Sequence, residues 1–281
     1  MLALSKSIAS HESLEIAILH LMNEYSFSLS TLEQVLLDQS LDVSFSRVKY
    51  TQVAPFVGLD PAKRLLDIGT FELHRSRIPT NLFKSIIEDM DLVLMQYGPP
   101  LQHSTEEATS RFLSPIFNRL VAEFGFTFRN LLKGCITRGG RIEYSLKAFG
   151  AVSILVLEVK LRGGNNEERL DAITRVIAEC DAYDWNNSTQ NFSVPVFGIL
   201  WDGSHFYFFR FDGTSKPSSF LRGAFSADPL KFRNGIKLPD LIAADENALP
   251  FIRAVRLISE AIFDLLLSGY VSSIEAFRDR S

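Results

Sequence analysis

Three side chains in the middle of this 281-residue chain have the types and spacing to do chemistry: Glu143, Glu158 and Lys160. Glu158 and Lys160 stand two apart in Glu158-Val159-Lys160, and on a β-strand residues two apart share a face. Burying charge is costly, so a strand that finishes on a glutamate and a lysine either surfaces there or builds a site. Glu143 belongs to the preceding stretch, and pairing of the two stretches would set its carboxylate beside that of Glu158. Two carboxylates at a sheet edge offer hard oxygen ligands to a divalent cation, with an ammonium next to it.

The elements that must position these groups can be read from the same region. Arg141 to Lys160 reads as two strands joined by a turn around Phe149-Gly150, and the apolar run Val152 to Leu157 is what a strand buried on both faces looks like. Upstream, Ser104-Thr-Glu-Glu107 is a capping-box pattern that opens a helix through about Phe124. Its stripe of Leu113, Phe117, Leu120 and Phe124 continues back to Glu106, whereas Glu107 is explained by capping. Both acids are also what a helix start favours. Pro115 predicts a kink or an earlier break. Phe126-Thr-Phe and then, after a break, Gly134-Cys-Ile-Thr137 read as the first core strand, and Gly139-Gly140 as a tight turn into the Glu143 strand. Past a Gly163-Gly-Asn-Asn166 turn, the spacing predicts a helix over Glu167 to Trp185. Leu170, Ile173, Val176, Ile177 and Cys180 face inward, with Arg169, Arg175 and Glu179 on a solvated face. Val194 to Trp201 is a strand, Asp202-Gly203 a hairpin turn, and His205 to Phe211 the returning strand. Asp202 stands before a glycine, so it reads as a turn residue rather than a catalytic acid.

This order of elements, ending one strand in Glu-x-Lys, resembles the PD-(D/E)XK nuclease superfamily, the restriction-endonuclease-like fold. Glu158 and Lys160 match the (Asp/Glu)-x-Lys half of that motif. Glu143 stands where the family has Asp after Pro, and position 142 is Ile. The resemblance covers roughly residues 102 to 212. It implies an α/β, mixed α+β fold with an αβββαβ core around a central mixed sheet. It further implies Glu143, Glu158 and Lys160 as catalytic residues, and Glu106, Glu143 and Glu158 as ligands of Mg²⁺ or Mn²⁺. Glu106 fits the helix glutamate of the family by its helical phase. Arg169 and Arg175 are candidates for the polar or basic residue that the family's helix after the Lys strand presents towards the site, with a solvated helix face the favoured reading of both. Between Arg129 and Arg162 the basic residues outnumber the acids, which are Glu143 and Glu158 alone. Arg129, Lys133, Arg138, Arg141 and Arg162 would hold a phosphate backbone there, and a solvated strand surface is the other reading of that patch.

Outside this region the sequence predicts structure and little chemistry. Residues 10–26 have amphipathic helical spacing, Thr31-Leu-Glu-Gln34 opens a second helix through Leu37, and Val43, Phe45 and Val48 fit a short strand. Asn81 caps a helix over Leu82 to Tyr97, stopped by Gly98-Pro-Pro100. These marks divide the chain into a mostly helical extension (1–98), a nuclease-like core (99–215) and a segment (216–281) of loop followed by an apolar helix. That helix runs from Pro250 to about Ser268 and packs on the core or on the N-terminal helices.

Composition limits the classes of function. A 46% hydrophobic and 22% charged content is ordinary for a globular protein. The 23 Phe predict a Phe-rich core. A formal net charge of −4 excludes a global basic field that would draw in nucleic acid. Cys135 and Cys180 make neither a disulfide framework nor a zinc site. The five His show no metal-ligand spacing. No signal-peptide pattern and no run of 18 apolar residues is present, which predicts an intracellular protein without a membrane span.

Two functional readings follow. The first is a Mg²⁺- or Mn²⁺-dependent nuclease acting on DNA or RNA. The second is a catalytically inactive fold of the same kind serving as a nucleic-acid-binding or protein-interaction module, with the terminal helices as an interface to a partner or a second copy.

Overall fold

The computed structural model describes residues 49–62, 67–103, 105–124, 127–131, 143–148, 152–159, 166–215, 217–225, 235–239 and 248–280. Its centre is a sheet of eight strands in the order β1-β7-β6-β5-β4-β3-β2, with β8 also paired to β6. The strands are β1 (Thr70–Glu72), β2 (Thr127–Leu131), β3 (Glu143–Ala148), β4 (Val152–Val159), β5 (Val196–Trp201), β6 (His205–Asp212), β7 (Ser219–Ala224) and β8 (Ile236–Lys237). The helices are α1 (Tyr50–Val53), α2 (Thr80–Tyr97), α3 (Glu106–Phe124), α4 (Asn166–Thr189) and α5 (Leu249–Arg278). The protein is therefore a mixed α/β fold. β1 and β7 are parallel, as are β4 and β5, and the other pairings are antiparallel. Parallel neighbours need a crossover, and α4 supplies the one between β4 and β5.

Strand periodicity splits the interior into two cores. Phe197, Ile199 and Trp201 of β5, with Phe206 and Phe208 of β6, face a layer built from α2, α3 and α5. Val196 and Leu200, with Tyr207, Phe209 and Phe211, face α4 and the short α1. Every residue of β5 is buried, as expected of a strand covered on both sides. Gly198 permits that closeness: a Cβ there would sit 2.4 Å from Val176 Cγ1 and 3.2 Å from Cys180 Sγ.

Several expectations are corrected. The helix expected from Asn81 starts at Thr80 with Pro79 as its N-cap and no side-chain cap. The cap of α3 is Thr105, whose Oγ1 accepts the Ala108 N–H at 3.1 Å. Glu107 instead pairs with Arg111 one turn on. α3 continues through Pro115 without a break. The first core strand is Thr127–Leu131, and Gly134 to Thr137 lie outside the described residues. The loop-rich segment after residue 214 contains β7 and β8, and β1 joins the same sheet from before residue 98, so the sheet crosses both boundaries drawn from sequence. The helices over 10–26 and 31–37 and the strand at 43–48 lie outside the described residues.

α5 runs about ten residues past the end that its apolar pattern predicts, to Arg278 rather than about Ser268. It is long and apolar enough to cross a membrane, with a mean hydropathy of 1.4 over its best window, half of which is buried inside the protein. Phe251, Val255, Ile258, Ile262, Leu265 and Leu266 of this helix lie in the first core. Glu260 and Asp264 are also buried on it.

Candidate functional site at the ends of the central strands

The hairpin β3–β4 carries the two central acids. Tyr144 pairs with Leu157, with a register shift further along at Leu146/Lys147. One step beyond Tyr144–Leu157 in this antiparallel register sets Glu143 across from Glu158. Directly opposed residues have Cα atoms about 4.5–5.5 Å apart. Glu158 also pairs with Leu200 of β5, and Val159 with Trp201. Both acids thus sit where β3 begins and β4 finishes, level with the carboxyl end of β5. In open α/β sheets the ends of parallel strands are where ligands bind.

The remaining sequence-predicted residues divide as follows. Glu106 opens α3, whose Phe112, Leu113, Ile116, Phe117 and Leu120 lie in the first core. Leu200, the β5 neighbour of position 158, lies in the second. Arg129 stands on β2 opposite Ser145. Lys133, Arg138, Arg141, Lys160 and Arg162 lie outside the described residues. Among the described residues there is no group of three or more His, Cys, Asp and Glu that could hold a metal ion.

Immediately after β5, side chains gather around Asp202. Its Oδ1 accepts the N–H of Ser204 at 3.0 Å, the Ser204 hydroxyl at 2.9 Å and the N–H of His205 at 2.7 Å. Its Oδ2 accepts the Tyr207 hydroxyl at 3.2 Å and lies 3.2 Å from Arg169 Nε. The Arg169 guanidinium also stacks over the Tyr207 ring, 5.7 Å from its centroid. Burial works to raise the Asp202 carboxyl, but the hydrogen bonds from His205 and Ser204 outweigh it and hold the group well below the usual carboxylate range. Burial, and then the Asp202 charge, push the Tyr207 phenol up, so it remains a donor.

Ser, His and Asp within four residues invite comparison with a hydrolytic triad, and the geometry answers it. Asp202 takes the backbone N–H of His205, while the His205 ring Nδ1 stays 3.8 Å from Asp202 Oδ1. The Ser204 hydroxyl lies 2.8 Å from His205 Nδ1 but donates its one hydrogen to Asp202. No base is left to take a proton from Ser204. The cluster is a turn lock that fixes the end of β5 to the first turns of α4. Asp202-Gly203 announced the turn in the sequence. Arg169, for which a solvated face was the favoured expectation, reaches Asp202 instead, and Glu179, expected on the outer face, is buried; no local pattern pairs Arg169 with Asp202.

No family model, curated protein or solved structure matches this chain.

Proposed function

We propose that the chain is a metal-dependent nuclease of the PD-(D/E)XK kind, hydrolysing phosphodiester bonds of nucleic acid. The observation that carries the reading is the register that brings Glu143 and Glu158 level on adjacent strands. The order α3-β2-β3-β4-α4-β5 supports it, since it is the αβββαβ order of that fold. Two carboxylate-bearing positions side by side fit a hard divalent cation, which prefers oxygen ligands.

In this reading Glu143 and Glu158 hold Mg²⁺ or Mn²⁺, with Glu106 as a third ligand. The bound ion supplies Lewis-acid polarisation of the phosphate and a lowered pKa for a coordinated water. Lys160 orients the attacking water or stabilises charge growing on the phosphoryl oxygens. Arg129, Lys133, Arg138, Arg141 and Arg162 hold the phosphate backbone, with affinity that falls as salt rises. The Asp202–Arg169 lock keeps the end of β5 and the start of α4 in fixed relation beside the acids.

The test is incubation of purified protein with supercoiled plasmid, single-stranded DNA and RNA in Mn²⁺, Mg²⁺ or EDTA. Cleavage that needs metal and disappears in Glu158→Ala is the expected result. Lys160→Ala should lose cleavage yet still bind nucleic acid, and unchanged cleavage by that variant would sink the assigned role. One observation favours the second reading, a non-catalytic module: Ile142-Glu143 stands where the resemblance calls for Pro-Asp. Folded protein that neither cleaves nor gains thermal stability with Mg²⁺ or Mn²⁺ would move the assignment there.

A further inference from the structure

A second constellation lies where the segment between β1 and α2 crosses α5. Glu260 of α5 is buried, with its side chain 4% exposed. Arg75 Nε and Nη2 donate to its Oε2 at 3.1 and 2.7 Å, and Arg256 Nε donates to its Oε1 at 3.0 Å. Ser76 on the same segment donates to Asp264 at 2.6 Å, which anchors the crossing one turn further along the helix. A cavity of about 520 Å³ opens here, and among the described residues its walls are Arg75, Arg77, Arg256 and Glu260. That volume falls within the range of small-molecule sites.

A purely structural account explains part of this arrangement. A buried carboxylate needs cationic partners, and Arg75 and Arg256 serve Glu260 in that way. It leaves Arg77 over, which is exposed and has no hydrogen bond or ion pair among the described residues. It also leaves charge over, because among the described residues that line the cavity three guanidiniums stand against one carboxylate, two positive charges in excess. Each guanidinium has five N–H donors and no acceptor. Among the described residues Arg256 spends its Nε on Glu260 and keeps both terminal nitrogens. Arg75 keeps Nη1. Glu260 therefore acts as a brace, holding two forks in place so that little side-chain entropy is lost when a ligand arrives. Arg256 is braced further by Phe83, over whose ring its Cζ lies 5.2 Å from the centroid.

We infer that this cavity binds a phosphomonoester group through Arg75, Arg77 and Arg256. The planar forks match phosphate oxygens. A phosphomonoester carries about −1.5 to −2 charge at pH 7, which balances the excess in the cavity. A lone carboxylate leaves half of that excess unmatched. The cavity shares no residue with the strand ends, and its binding needs neither Glu143 nor Glu158.

The experiment is calorimetric titration of the full chain in EDTA at constant ionic strength, with inorganic phosphate, AMP and adenosine as probes. Phosphate and AMP should bind saturably at one site per chain, and adenosine should not. A tighter constant for AMP identifies a nucleotide-like source of the phosphate, and equal constants identify the free anion. Arg77→Gln should weaken binding at least tenfold with an unchanged melting temperature, and Arg77→Lys should fall between the two. Absence of saturable binding by phosphate and AMP, or equal affinity in Arg77→Gln, would overturn the assignment.

Discussion

Two carboxylates near the sheet, Asp202 buried and Asp184 half-buried, respond to pH in opposite directions. Removing Asp202 strands the Ser204 and His205 N–H groups, the Tyr207 hydroxyl and the Arg169 guanidinium together. Losing one partner from such a buried charged network costs about 3 kcal/mol or more. Asp202→Ala should therefore lower the urea midpoint by that equivalent without changing the slope. Because the folded-state value of Asp202 lies below its unfolded value, its contribution is present above about pH 4. It is lost only as pH falls through the depressed value. Asp184 is the reverse case. Burial first, and then the charges of Asp181 and Asp212, push it up to about 6 from 3.8. The folded protein then binds the proton more tightly than the unfolded chain, so stability falls as pH rises from about 4 through about 6. Asp184→Asn should melt with the wild type at pH 4 and above it at pH 8. A constant difference across that range would refute the assignment.

Among the elements, the seam between α4 and β5 is closed by Gly198, where the strand has no room for a side chain against Val176 and Cys180. Gly198→Ala would drive a methyl to 2.4 Å from Val176 Cγ1. Overpacking of this kind costs about 1–3 kcal/mol, measurable as a lower melting temperature, and Val176→Ala in the same chain should recover part of it. The strands on either side of this seam could be read from sequence because burial on both faces leaves a dense apolar signature. β4, β5 and β6 announce themselves in that way, whereas α4 shows in its helical spacing and β3 in the turn that joins it to β4. β1 and β8 do not, since Thr70-Phe-Glu72 and Ile236-Lys237 become strands only through their neighbours. Ser268-Gly269 reads as a helix end, yet Gly269 is buried and the Ser273 hydroxyl donates to its carbonyl at 2.7 Å, so α5 runs on. Pro115 removes one N–H from a helix that six buried apolar side chains, Phe112, Leu113, Ile116, Phe117, Leu120 and Val121, already hold against the core. At the candidate site the Glu-x-Lys spacing and the Asp-Gly turn were local signals. The Arg169–Asp202 pair joins residues 33 positions apart, and no local pattern encodes it.

At the scale of the molecule, the last helix belongs to the first core as fully as any strand. Phe251, Val255, Ile258, Ala261, Ile262, Leu265 and Leu266 are all 5% exposed or less. Burial of each large apolar side chain is worth about 1.5–3 kcal/mol, and a whole domain is stable by only about 5–15 kcal/mol. A chain ending before Leu249 should lose its cooperative unfolding transition and its near-ultraviolet circular dichroism. Retention of both would show that the core closes without α5. The opposite face offers a different use. Cys180 is fully enclosed where α4 lies on Gly198, and burial, then the neighbouring acids Glu179, Asp181 and Asp184, push its thiol well above the ordinary range. A thiol reagent reaches it only when that seam parts. In a Cys135→Ser background, the alkylation rate of Cys180 is then a clock for the breathing of the native state, read without unfolding the protein. Gly198→Ala should make that clock run faster.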